Sequence, residues 1–130
     1  DYPGLDKLTY LLLHRGIDYL LMSQLVSKKC VPCEGDVIPF TPLQAQEYLR
    51  QIDPGWQVSE DGKKILRKFK FKNFKSALDF VNKVSGITEG ENHHPVIKFG
   101  WGFATVSSTT HVIGGLSEND FILAAKIDKI

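Results

Sequence analysis

Three of the four histidines lie in one stretch of the chain, where His93 and His94 are adjacent and His111 follows seventeen residues later. Imidazole has an unperturbed pKa of about 6.5, so it can give and take protons near neutral pH. Neutral imidazole is also a common metal ligand. A group of three such side chains therefore predicts either proton transfer or metal binding.

Carboxylates and a proline near these histidines bear on how the rings are held. The carboxylates that could orient the rings are Glu89, Glu91 and Asp120. Pro95 restricts His94 to an extended backbone, in which successive side chains point in different directions. We therefore expect His93 and His94 to line two walls of one pocket rather than bind one atom.

Two kinds of catalysis and one non-catalytic interpretation fit these residue types. Catalytic zinc often has three protein ligands plus water, so a zinc hydrolase with three histidines and a carboxylate base is one hypothesis. Metal-free acid/base chemistry is at least as compatible with the residues. Alternatively, His93 and His94 are surface loop residues and His111 ends a strand. Only the spacing to other elements can separate these interpretations.

The composition restricts the class of protein. The chain has 130 residues, of which 42% are hydrophobic and 24% charged, as expected for one compact domain. Lys and Arg number 16 against 15 Asp and Glu, so whole-molecule attraction to nucleic acid or anionic lipid is not expected. Charged residues interrupt the Leu-rich segment from Leu8 to Val26, which argues against a membrane span. We expect a cytoplasmic protein, with a nuclear or organellar location left open.

Residues 1–35 are predicted to be an N-terminal extension or leader. Apolar residues at helical spacing indicate an amphipathic helix over residues 5–26, although Gly16 weakens it. Met22, the only methionine, suggests that the native domain starts there. Cys30-Val31-Pro32-Cys33 has the spacing of a redox pair or of half a zinc site, but no second cysteine pair exists. Two free thiols without catalytic duty are the favoured interpretation.

Residues 36–130 show the turn and capping signals of a small α+β domain. The predicted elements are a helix from Thr41 to about Gln51, strands at 56–58 and 65–71, a helix from Asn73 to a stop at Gly86, strands at 95–99 and 103–109, and a helix from Ser117. The order αββαββα predicts a four-stranded antiparallel sheet with helices packed on one face.

The spacing of the chemical residues resembles a known signature. Glu89-x-x-x-His93-His94-Pro95, then Trp101, His111 and Asp120 at their intervals, is similar to the pattern of the pterin-4a-carbinolamine dehydratase family. Gly55-Trp56, Phe69-Lys70-Phe71 and Gly115-Leu116-Ser117 extend the resemblance over roughly residues 36–128. Trp101-Gly102 stands where the family often has Tyr-Asn.

The resemblance implies dehydration of 4a-hydroxytetrahydrobiopterin to quinonoid dihydropterin, in the recycling of tetrahydrobiopterin. It implies no metal and no organic cofactor. By resemblance, His93 and His111 are the general acid/base groups, His94 helps hold the pterin, and Asp120 orients the set. As a capping-box residue, Asp120 has an equally reasonable structural role.

The resemblance also implies a set of substrate-binding residues: Glu89, His94, Pro95, Trp101 and Thr110. The indole of Trp101 has two interpretations, since it could stack on the flat pterin or pack against the sheet. Glu89 could equally be a solvated surface carboxylate.

Partner proteins form the second class of function. The resemblance implies a homodimer or homotetramer and, as an alternative to catalysis, a transcription-factor or hydroxylase partner. A basic run surrounds the second strand: Lys63, Lys64, Arg67, Lys68, Lys70, Lys72 and Lys75. Such a face is more often solvated than bound, so direct nucleic-acid binding is not expected.

Overall fold

The computed structural model describes residues 24–130. Its elements are α1 (Pro42–Leu49), β1 (Gln57–Val58), β2 (Ile65–Lys70), α2 (Phe74–Glu91), β3 (Val96–Gly100), β4 (Phe103–Ser108), a 3₁₀ helix (His111–Ile113) and α3 (Glu118–Ile127). The predicted α+β order αββαββα is confirmed. Most of the helix predicted over residues 5–26 lies outside the described residues, of which 24–27 are helical.

The four strands form one antiparallel sheet in the order β1-β2-β4-β3. Side chains alternate along β4, so Ala104, Val106 and Ser108 are buried on the helix-covered face. On the other face Lys68 and Lys70 are exposed. Helices therefore cover one face of the sheet, as predicted, and Lys68 and Lys70 of β2 occupy the other.

Helix α3 supplies much of the core. Its residues Phe121, Ile122, Leu123, Ala124, Ala125 and Ile127 are all buried. Trp56, which directly precedes β1, joins them, as do Ile65 of β2 and Val84 of α2. Each large apolar side chain buried here contributes about 1.5–3 kcal/mol to folding. In the described part of the chain, no helix is long and apolar enough to cross a membrane.

Capping residues begin the helices where the sequence predicts. Thr41 Oγ1 accepts from the Gln44 N–H at 3.2 Å, and Gln44 Oε1 accepts from the Thr41 N–H at 2.9 Å, which completes a capping box. Asn73 Oδ1 likewise accepts from the Ser76 N–H at 2.8 Å at the start of α2. Helix α1 ends at Leu49, slightly before the expected Gln51.

The predicted stop of the second helix at Gly86 is wrong, because α2 continues to Glu91. One glycine inside a helix costs only about 1 kcal/mol, and burial of Val84 and Thr88 on either side offsets that cost. The helix ends at Asn92, whose φ of 53° is left-handed. Asparagine tolerates this conformation better than most residues, so it can serve as the C-cap.

A buried polar group joins the C-terminal end of α3 to the sheet. Asp128 accepts from Arg67 Nη1 at 2.7 Å and Trp56 Nε1 at 2.9 Å, and from the Asp53 N–H at 3.2 Å. Burial raises the pKa of Asp128, although the hydrogen bonds from Trp56 and the Asp53 N–H, and the charge of Arg67, oppose the shift. The carboxylate thus depends on its partners to stay ionised.

We expect Asp128→Ala to lower the free energy of unfolding by about 2 kcal/mol, because it leaves the Trp56 indole N–H unpaired and leaves the Arg67 guanidinium with only Asp53, 3.3 Å away. Urea denaturation measures the change. The control is Asp79→Ala, which removes an exposed 3.5 Å ion pair with Lys75 and should cost less than about 0.5 kcal/mol. Equal losses in the two variants would contradict this assignment.

Candidate active site

The end of α2 determines where the two adjacent histidines lie. The N–H groups of Asn92 and His93 both donate to the Thr88 carbonyl, which closes the last turn of the helix. His93 and His94 follow directly and lead into β3. The left-handed Asn92 therefore turns the chain directly before His93 and His94.

The two imidazoles have different surroundings. His93 Nε2 lies 2.7 Å from Asp120 Oδ1, and its side chain is only 12% exposed. His94 Nε2 lies 3.4 Å from Glu89 Oε1, and its side chain is 53% exposed. The two rings therefore have different carboxylate partners, and the role of Pro95 in separating them stays a prediction.

Asp120 is fully buried and accepts hydrogen bonds from several elements. Its carboxylate contacts Ser108 Oγ at 2.6 Å, Thr110 Oγ1 at 2.9 Å and the Ser117 N–H at 3.0 Å, in addition to His93. It is the third residue of α3, where the helix dipole favours negative charge. The predicted capping box is therefore present, and the same carboxylate holds a histidine.

A pocket of about 320 Å³ opens beside His93, within the range of small-molecule sites. Its lining includes all three clustered histidines, with residues 30–33, Glu91, Asn92, residues 109–112 and Asn119. His111 is exposed at the start of the 3₁₀ helix. The Thr110 N–H donates to the Gly115 carbonyl at 2.9 Å, which ties the ends of this loop together.

Other predicted site residues lie outside this pocket. Trp101 is 72% exposed in the turn joining β3 to β4. The sheet register pairs Val96 with Ser107 near the histidines and Gly100 with Phe103 at the far end, beside Trp101. Pro95 and Glu89 do not line the pocket either. In the described part of the chain, none of these three residues lines the pocket, although Glu89 contacts its His94, and their binding roles stay predictions.

Thr110 lines the pocket, but its hydroxyl is already engaged. It donates to Asp120 Oδ2 at 2.9 Å and lies 2.8 Å from Ser117 Oγ. Thr110 is also buried. Its side chain is therefore placed to hold Asp120 rather than to contact a ligand directly.

Sequence reasoning missed the contribution of the N-terminal segment to the pocket. The Cys30 N–H donates to Glu91 Oε2 at 2.9 Å, and Asn119 bonds to Val31. Leu25 is buried in the core. The domain boundary at residue 36 stays a prediction, but residues before it contact the domain. A Cys-x-x-Cys spacing indicates thiol or metal chemistry and gives no signal for such packing.

Glu91 anchors this segment, and the charge of Lys126 stabilises its ionised form. Burial acts to raise the pKa of Glu91, but the hydrogen bonds from Lys126 and from the Cys30 N–H outweigh it and keep that pKa below its usual range. Lys126 Nζ lies 2.6 Å from Glu91 Oε1. The anchor of residue 30 is thus an ionised carboxylate, and among residues 24–130 Glu91 contacts Lys126 and the Cys30 N–H rather than a histidine.

The structure gives both cysteines as free thiols. Burial and the nearby Glu91 carboxylate raise the pKa of Cys30 to about 12, so this thiol is a poor nucleophile. Among residues 24–130, no three His, Cys, Asp or Glu side chains are grouped so that they could hold a metal ion. The geometry therefore offers no support for the zinc-hydrolase hypothesis.

Comparison with known proteins identifies the family. The family model described as pterin 4 alpha carbinolamine dehydratase matches residues 38–130. The chain belongs to this family. A relative from Rubrobacter xylanophilus, provisionally named a pterin-4-alpha-carbinolamine dehydratase, is 48% identical over 84% of this chain and all of its own length. One from Halorhodospira halophila with the same provisional name is 51% identical over 82% of this chain and 96% of its own.

Solved structures agree with the dehydratase fold. A transcriptional coactivator/pterin dehydratase from Brucella melitensis matches with a TM-score of 0.66 and 32% identity, over 70% of this chain and 96% of its own. A pterin dehydratase-like RuBisCO assembly factor of the alpha-carboxysome matches with a TM-score of 0.51 and 20% identity, over 58% of this chain and 87% of its own. The second likeness shows only that the fold is shared.

The raised pKa of Cys30 predicts slow alkylation in the folded protein. In a Cys33→Ser variant, where Cys30 is the only remaining thiol, the iodoacetamide rate should keep rising about tenfold per pH unit from 7.5 to 9.5. The urea-unfolded protein is the control, and there the rate should level off near the ordinary thiol pKa. Matching folded and unfolded rates at pH 8.5 would show that burial does not protect this thiol.

Proposed function

We propose that this protein dehydrates 4a-hydroxytetrahydropterin to quinonoid dihydropterin by histidine acid/base catalysis. The observation that carries the proposal is the pairing of His93 with the buried Asp120 carboxylate at 2.7 Å, beside a pocket that His111 also lines. Membership of the dehydratase family supports the reaction class. The substrate is a bicyclic ring, small enough for a pocket of about 320 Å³.

The reaction needs one proton donor and one proton acceptor. The hydroxyl on C4a leaves as water when it is protonated, and the bond to oxygen breaks with its electron pair. The lone pair of the adjacent ring nitrogen forms a C=N double bond, after which that nitrogen loses its own proton. One proton is given and one is taken, so two imidazoles can complete the cycle without net change.

Within this proposal, each polar residue has a distinct role. Asp120 as a carboxylate accepts from Nε2–H of His93, which leaves the lone pair on Nδ1 for proton transfer. His111 is the second acid/base group, and His94, backed by Glu89, helps hold the pterin. Thr110 and Ser108 act through Asp120 as positioning residues. Pro95 sets the backbone of His94.

Replacing the acid/base groups tests the proposal. His93→Ala and His111→Ala should each lower kcat by about 100-fold or more, because general acid/base catalysis supplies rate factors of that order. The assay follows dehydration of chemically generated 4a-hydroxytetrahydropterin. Lys72→Ala, an exposed residue outside the pocket, is the control and should keep the wild-type rate. Wild-type rates in both histidine variants would refute the assignment.

Self-association is proposed alongside catalysis. Within residues 24–130, the edge strand β3 pairs only with β4, and its Val96 is exposed. An uncovered strand edge is a template for pairing with another chain, which supports the predicted homodimer or homotetramer. The Brucella protein is described as a transcriptional coactivator as well as a pterin dehydratase, so a transcriptional or other protein partner is the alternative function. A folded wild-type protein without dehydratase activity would favour that alternative.

A further inference from the structure

Three consecutive residues in the first turn of α3 contact three different parts of the molecule. Glu118 accepts from Lys28 Nζ at 3.3 Å and from Tyr48 Oη at 2.6 Å. Asp120 Oδ1 lies 2.7 Å from His93 Nε2. Asn119, between them, contacts the backbone of residue 31. The turn that fixes the histidine therefore also fixes the N-terminal segment, through a separate side chain.

Asn119 holds Val31 with both halves of its amide. Its Oδ1 accepts from the Val31 N–H at 3.0 Å, and its Nδ2 donates to the Val31 carbonyl at 2.6 Å. The Asn119 side chain is buried, so these bonds have little competition from water. Glu91 adds a bond to the Cys30 N–H at 2.9 Å. Two successive backbone N–H groups of the segment are thus held by the domain.

The fixed segment presents apolar surface to the pocket. Cys30, Val31, Pro32 and Cys33 all line it, as does Val112 from the 3₁₀ helix. Val31 is 64% exposed and Val112 58% exposed, although both are apolar. Exposed apolar side chains that line a pocket are stabilised when a ligand removes their surface from water. Their placement favours a ligand with flat apolar faces.

We infer that residues 30–33 form a wall of the substrate site and that Asn119 is the positioning residue that holds this wall. The inference rests on the proposed function and assigns the wall to a face of the fused bicyclic ring of the pterin. Histidines supply the proton transfers at one side of the pocket, and Val31 supplies contact with the ring. Substrate affinity then depends on a segment that precedes the residues matched by the family model.

The wall should act on binding rather than on the chemical step. Asn119 holds Val31, whereas Asp120 holds His93, so loss of the Asn119 amide leaves the catalytic pair in place. A contact made equally with substrate and transition state changes KM and leaves kcat unchanged. This pattern separates a binding wall from a general distortion of the site, which would lower kcat.

The test measures KM and kcat for dehydration of 4a-hydroxytetrahydropterin in two variants of the full chain. We expect Asn119→Ala to raise KM about tenfold and Val31→Ser to raise it about threefold, each with kcat within about twofold of wild type. Val31→Ser changes only an exposed side chain, so it still tests the wall if Asn119→Ala does not fold. Ile38→Ser is the matched control, since Ile38 is an exposed apolar residue outside the pocket.

A second measurement uses 7,8-dihydropterin, which has no 4a-hydroxyl and therefore binds without reacting. Its Kd, measured by calorimetry, should rise by similar factors in Asn119→Ala and Val31→Ser. Unchanged KM in the folded variants of an active protein would overturn the inference alone. A fall in kcat at constant KM would also overturn it, because the wall would then be a structural support of the histidines. An inactive wild-type protein would overturn the proposed function, and this inference with it.

Discussion

The carboxylate of Asp120 is removed from solvent at the start of α3, and its charge has to be compensated within the protein. Moving such a group out of water costs several kcal/mol unless hydrogen bonds replace the lost hydration. Four donors do so here, from Ser108 at the end of β4, Thr110 in the following loop, the Ser117 backbone and His93 after α2. One buried charge therefore fixes the relative positions of the elements around the pocket.

This constraint makes the site asymmetric. His93 is nearly buried, with one ring nitrogen tied to Asp120, whereas His111 lies exposed on a short 3₁₀ helix. The capping box that begins α3 also brings Asn119 against Val31. The residues that begin α3 therefore also contact His93, through Asp120, and residue 31, through Asn119. Loss of the cap would disturb both contacts.

Local signals predicted most of the fold. Three of these signals are the caps at Thr41 and Asn73 and the Ser117–Asp120 capping box. Each acts within a few residues, and each appears in the structure. Gly86 misled the prediction because its local preference was weaker than the burial of the residues around it. The left-handed Asn92 is a better end signal, but asparagine is common at many other positions.

The site was predictable only in part, because some of its residues are brought together by contacts between distant parts of the chain. Spacing brought His93, His94 and His111 together as candidates, and all three line one pocket. Trp101 is close to them in sequence, but the antiparallel register of β3 and β4 carries it to the other end of the hairpin. Residues 30–33 reach the pocket through long-range bonds to Glu91 and Asn119. Periodicity along one chain contains no information on such contacts.

We propose that Asp120 holds His93 as the Nε2–H tautomer and so leaves the Nδ1 lone pair free to accept a proton. Nitrogen-15 NMR of the imidazole measures this tautomer directly, without substrate or activity. We predict a single Nε2–H form for His93, with a slowly exchanging proton shared with Asp120. An Nδ1–H form, or the mixture seen in free imidazole, would contradict it.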